Sequence, residues 1–156
     1  MTLDFVLNGA RRTVQADPGE SLMDLLRRLG LKSVKNGCDD GYCGACAVLL
    51  DGRAVNACLV FAARAAGSRV DTVEGVGREG VLHPVQRAAL DLGAIQCGFC
   101  TPGIVMTALD LLAHNPRPDE AEVREALAGN YCRCTGYAKP VEAILAAAAE
   151  MREAPE

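Results

Sequence analysis

Eight cysteines carry most of the chemistry open to this 156-residue chain, and their spacing sorts them into two sets of four. Cys38, Cys43, Cys46 and Cys58 lie in the run GCDDGYCGACAVLLDGRAVNAC, separated by four, two and eleven residues. That spacing, C-x4-C-x2-C with a distant fourth cysteine, is the plant-type [2Fe–2S] pattern. Four thiolates and bridging sulfides form an anionic group, so backbone N–H groups must turn toward it. Gly37, Gly41 and Gly44 interleave with the cysteines and permit the dihedral angles this needs. No histidine falls in the stretch, so an all-thiolate ligand set is the simplest reading.

The second set is Cys97, Cys100, Cys132 and Cys134, spaced C-x2-C, thirty-one residues, C-x-C. Thr101, just after Cys100, suits an N-cap with Pro102 at N1, and a helix expected to end near Gly129 precedes Cys132. A metal group between those helix ends would tie the helices together, and a helix N-terminus offers partial positive charge to an anion. A four-thiolate zinc site is the alternative for either set. Such sites often use two C-x2-C pairs, which the second set fits only in part. Disulfides are rare in a reducing compartment, and unrelated buried cysteines would not fall into such spacings.

The elements that must position these residues change character near 75–80. LDFVLN (3–8) and RTVQA (12–16) read as strands joined at Asn8-Gly9. SLMDLLRRLG (21–30) reads as a helix with Ser21 as N-cap and Leu22, Leu25, Leu26 and Leu29 on one face. CAVLLDGRAVNAC (46–58) reads as strand, Asp51-Gly52 turn, strand, and RVDTVEG (69–75) as a further strand. From residue 83 onward the pattern is helical: 83–93, a helix from Thr101 with Ile104, Ala108, Leu111 and Leu112 on one face, 117–129, and 140–151. The final REAPE is expected to fray. The fold class is therefore α+β, with a small mixed unit at 1–76 and a four-helix bundle at 77–156. Halves of this size form marginal cores unaided and often rely on a metal staple. Each half holds four cysteines.

Composition narrows the function classes. A formal charge of −4, 4% aromatic residues and no tryptophan argue against nucleic acid as a partner. No apolar run reaches the roughly 18 residues needed for membrane insertion. The opening MTLDFVLNGARRTV alternates and then turns basic, unlike a secretory signal, and the expected location is cytoplasmic. There is no Ser–His–Asp arrangement, phosphate loop or dinucleotide fingerprint.

Taken together, GCDDGYCGACAVLLDGRAVNAC, QCGFCTPG and NYCRCTGY resemble the small iron–sulfur subunit of the molybdenum hydroxylases. That family includes xanthine dehydrogenase, aldehyde oxidoreductase and carbon monoxide dehydrogenase. The resemblance covers nearly the whole chain, in order. It implies a β-grasp ferredoxin-like domain followed by a four-helix bundle, each binding one [2Fe–2S] cluster. It implies an oxidoreductase subunit that relays electrons from a molybdenum pterin cofactor on a large partner subunit. The electrons would leave through FAD on a medium subunit or through an external acceptor. It also implies that Cys134 contacts the pterin while ligating iron and that Gln96 lies beside the pterin. Tyr131 departs from the Leu that many members carry before CRC.

Other residues invite plainer readings. His83 and His114 lie at helix ends and suit capping or surface roles. Asp39 and Asp40 read as solvated loop carboxylates. Arg133 either offsets cluster charge or faces a partner subunit. No substrate site is evident, and a free-standing two-cluster ferredoxin is the alternative function.

Overall fold

The computed structural model describes residues 1–78 and 80–153. Strands β1 (Thr2–Leu7) and β2 (Ala10–Gln15) form an antiparallel hairpin. Its two-residue turn works because Asn8 and Gly9 both take positive φ, 49° and 81°. The hairpin of β3 (Ala47–Leu50) and β4 (Arg53–Asn56) uses Asp51-Gly52 in the same way. β5 (Arg69–Asp71) lies between the hairpins, parallel to β1 and antiparallel to β3, giving the order β2-β1-β5-β3-β4.

Helix α1 (Leu22–Arg28) supplies much of the first core. Leu3, Phe5 and Leu7 alternate inward from β1 to meet Leu22, Leu25 and Leu26, with Val48 and Val70 from the inner strands. Ser21 caps α1 by accepting from Asp24 N–H at 3.1 Å. Leu29, expected on the apolar stripe, is instead exposed, because it occupies the C-cap where the chain turns away. A mixed sheet with a helix across it is the β-grasp arrangement expected of this half.

The second half holds α2 (Pro84–Asp91), α3 (Thr101–His114), α4 (Glu120–Ala126) and α5 (Ala138–Glu153). They enclose a separate core of Val85, Ile104, Ala108, Leu112, Val123, Val141 and Ile144, among others. Three elements differ from expectation. The strand at 69–75 stops at Asp71, because Thr72 N–H donates to the Asn8 side chain at 2.8 Å rather than to a strand. A 3₁₀ turn follows, and Val73 packs on the second core. The helix expected from 117 begins at Glu120, because Asp119 is extended (ψ 175°) and caps it, and ends in a 3₁₀ turn at Leu127–Gly129. α5 runs through Arg152 and Glu153, where fraying was expected; the rest of that segment, 154–156, lies outside the described residues.

Helix α3 joins the halves. Asp110 Oδ2 accepts from the Ala54 N–H of edge strand β4 at 3.0 Å, and Arg53 Nε lies 3.4 Å from Oδ1. The bundle thus covers a strand edge that would otherwise present unpaired N–H groups.

Candidate metal centres

The first four cysteines are gathered by the β3–β4 hairpin. Cys38 and Cys43 lie in the loop before β3, buried Cys46 immediately precedes β3, and Cys58 sits in the 3₁₀ turn Ala57–Leu59 after β4. The eleven-residue spacer is the hairpin itself, which returns Ala57 N–H to the Cys46 carbonyl at 3.4 Å. The loop is held by Asn56 Nδ2 donating to Gly41 O at 2.7 Å and Lys35 N–H to Ala45 O at 3.1 Å.

The second four lie at helix ends. Cys97 and Cys100 occupy the turn leading into α3, with Cys100 at its N-cap, and Cys132 and Cys134 lie in the turn before α5. Cys97 and Cys134 face each other with their Sγ atoms 3.6 Å apart. Gln96, Cys97, Arg133 and Cys134 are all exposed, so this end of the site opens to the surface.

Both sets resolve into pairs: Cys38 with Cys43, Cys46 with Cys58, Cys97 with Cys134 and Cys100 with Cys132. Proton affinity is uneven within them. Cys38 is lowered to about 7, because the N–H groups of Asp40 and Cys43 and the Cys43 thiol favour its thiolate. Cys97 is lowered by Phe99 N–H and by the Cys134 thiol, while its partner Cys134 is raised by that same thiol contact. Burial pushes Cys46 and Cys100 up to about 12. At Cys132 burial acts upward too, but hydrogen bonds from the Thr135 hydroxyl and N–H outweigh it and bring it to about 7. The Thr135 hydroxyl lies 3.1 Å from Cys132 Sγ. Cys38, Cys97 and Cys132 thus meet N–H or O–H donors, as a multi-sulfur anion needs, while Cys46 and Cys100 are shielded from solvent.

The donor chemistry fits a two-iron group. A structural zinc needs four donors converging on one point about 2.3 Å from each sulfur. Among the described residues no three Cys, His, Asp or Glu side chains converge around a single ion. Two pairs per set would suit a binuclear cluster, which takes two thiolates at each iron.

His83 Nδ1 accepts from Val85 N–H at 3.2 Å and caps α2, and His114 Nδ1 turns back to the Asp110 carbonyl at 2.8 Å. Asp39 and Asp40 are exposed. Sequence reasoning missed Asn130 and Tyr137. Asn130 is 4% exposed and reaches Gly44 O through Nδ2 at 3.3 Å. The Tyr137 hydroxyl accepts from Cys132 N–H and donates to Asn130 O, both at 2.8 Å. Both lie within NYCRCTGY, so a polar residue on either side of the C-x-C run was the available signal.

Comparisons with known proteins accord with this geometry. Residues 5–69 match the family described as a 2Fe-2S iron-sulfur cluster binding domain, and residues 72–145 the [2Fe-2S] binding domain. The nicotine 6-hydroxylase small subunit of Paenarthrobacter nicotinovorans is 50% identical over 144 residues, 92% of this chain and 87% of that one. The xanthine dehydrogenase iron-sulfur-binding subunit of Escherichia coli O157:H7 is 47% identical over 148 residues, 93% and 92% of the two chains. Quinoline 2-oxidoreductase from Pseudomonas putida 86 superposes with a TM-score of 0.94 at 41% identity, covering 97% of this chain and 96% of that one. The aldehyde oxidoreductase of Desulfovibrio gigas gives 0.94 at 42% identity, covering 97% of this chain but 17% of that longer one. The same unit therefore occurs as a separate small subunit and as part of a larger polypeptide. Two [2Fe–2S] binding domains in one chain correspond to two clusters, which sets aside the zinc alternative. With an electron-transfer role, two cluster domains and relatives of this kind, the chain belongs to the small iron–sulfur subunits of the molybdenum hydroxylases.

Proposed function

We propose that Cys38, Cys43, Cys46 and Cys58 ligate one cluster within residues 1–76, and Cys97, Cys100, Cys132 and Cys134 the other within 77–156. The pairing of thiols in each half carries this assignment, and the two separate apolar cores support the division. When bound, the clusters supply one-electron exchange without proton or group transfer.

The chain's own residues set the direction of the relay. Cys134, exposed beside Gln96, presents the bundle set to a large subunit that holds the molybdenum pterin cofactor. Cys97 and Arg133 share that open face. Cys46 is buried and Cys43 half-buried, and the Cys43 carbonyl accepts from Tyr131 N–H of the second loop. With clusters bound, electrons would enter at the Cys134 end, cross to the first set, and leave to FAD on a medium subunit or to another acceptor. We place the complex in the cytoplasm; among the described residues no helix is long and apolar enough to cross a membrane.

Purification from the native source tests this reading. The chain should co-purify with a molybdenum-containing large subunit. Recovery as a lone monomer without molybdenum would contradict it.

A further inference from the structure

The two cysteine loops meet backbone to backbone. Tyr131 N–H donates to the Cys43 carbonyl at 2.9 Å, and Asn130 Nδ2 reaches the next carbonyl, Gly44, at 3.3 Å. Only glycine permits this approach. A Cβ on Gly103 of α3 would lie 2.2 Å from Gly44 O, and one on Gly44 would lie 2.4 Å from Gly129 O.

The peptide that makes the crossing is gripped from its other end. Asn130 C=O and Tyr131 N–H belong to one peptide unit. The Tyr137 hydroxyl donates to that carbonyl at 2.8 Å and accepts from Cys132 N–H at 2.8 Å. An unbroken chain of hydrogen bonds thus runs from Cys132 N–H through Tyr137 Oη–H, through the 130–131 peptide, to the Cys43 carbonyl. A hydrogen bond accepted by a peptide carbonyl polarises the peptide and strengthens its N–H as a donor. Tyr137 itself sits at φ +68°, uncommon for a residue with a side chain. It is held there by its own N–H donating to Thr135 Oγ1 at 3.2 Å.

Electron tunnelling falls steeply with distance, and more steeply through a gap than along bonded atoms. Cys43 and Cys132 carry thiols of different sets, and the crossing joins their backbones with one hydrogen bond and no gap. We propose that Tyr137 is a positioning residue for the relay between the two halves. Its hydroxyl aligns the 130–131 peptide on the Cys43 carbonyl and so keeps the two cysteine sets electronically joined. One electron crosses at a time; the bundle site is oxidised by one electron and the first site reduced by one, and no bond breaks. The proposal rests on the reading that both sets hold clusters.

The test uses Tyr137→Phe in the assembled holoenzyme, which removes the hydroxyl and keeps the ring. Both reduced-cluster resonances should integrate as in wild type, with midpoint potentials that leave the driving force between them unchanged. Hydrogen exchange in the peptide spanning 130–132 should quicken roughly five- to tenfold, the contribution of about one hydrogen bond. Electron transfer between the clusters, timed after pulsed reduction, should slow several-fold. A merely structural role would leave that rate unmoved at constant driving force. Gly103→Ala provides a second variant, because its methyl pushes on Gly44 O and meets Asn130 Nδ2 at 3.2 Å; it too should slow the transfer. If Tyr137→Phe loses a cluster, Gly103→Ala decides. A wild-type transfer rate in the cluster-replete variants overturns the proposal. Fewer than two cluster resonances in the wild type would instead overturn the functional reading beneath it.

Discussion

Three of the four cysteine pairs combine a thiol that meets hydrogen-bond donors with one that is buried or raised by its partner: Cys38/Cys43, Cys97/Cys134 and Cys132/Cys100. The grouping of the cysteines into two sets was legible in the sequence because spacing is a local property. Asn130 and Tyr137 were not, because their partners Gly44 and Cys132 acquire meaning only when two loops are brought together in space. Glu74 was hidden for the same reason. Its carboxylate accepts from Ser33 N–H at 3.1 Å and from the Thr72 hydroxyl at 2.6 Å, holding the loop after α1 against the joint between halves. Burial acts to raise its pKa, but these hydrogen bonds from Ser33 and Thr72 prevail and lower it. A lowered folded value means the contribution is full above the ordinary 4.5 and fades only as pH falls through the lower folded value. Glu74→Ala should therefore cost about 1 kcal/mol, limited by solvent screening. The deficit in urea unfolding should be the same at pH 8 as at a pH about one unit above the ordinary glutamate value. A gap that narrows across that interval would contradict this.

Among the elements, those whose ends are written in local chemistry were readable. Asn8-Gly9 and Asp51-Gly52 set both hairpins, and Ser21 set the start of α1. Those whose ends depend on distant groups were not. The strand at 69–75 is cut short by Asn8, sixty-four residues away from Thr72. Helix α4 shows a boundary set by a cap: Asp119 Oδ1 accepts from Glu122 N–H at 2.8 Å, and Glu122 Oε2 accepts from Asp119 N–H at 2.8 Å. This cap matters beyond its helix, because α4 runs through the turn at 127–129 into Asn130 and Cys132. Asp119→Ala should cost about 1 kcal/mol. Thermal unfolding should show that loss as a midpoint lower by roughly 2–4 °C. No change would mean that α4 is held by Val123 and its core neighbours without help from the cap.

At the scale of the whole molecule, two cores with separate cysteine sets are joined by α3 and by the contact between the two loops. Asp110 ties the bundle to edge strand β4, while Gly44 and Gly103 let the loops approach. The change of periodicity near residues 75–80 marks where strands give way to helices, and Gly103 lies in QCGFCTPG, where a glycine permits close backbone approach, but no local pattern marks Asp110. We propose that this locked pair holds its two [2Fe–2S] clusters in series. Electron paramagnetic resonance of the dithionite-reduced protein, with iron and acid-labile sulfide counted on the same sample, tests it most directly. With one binuclear cluster for each of the two matched domains, two distinct reduced-cluster resonances should appear, with two irons and two sulfides behind each. A colourless protein containing zinc and no labile sulfide, or a single resonance with half that iron, would contradict the account.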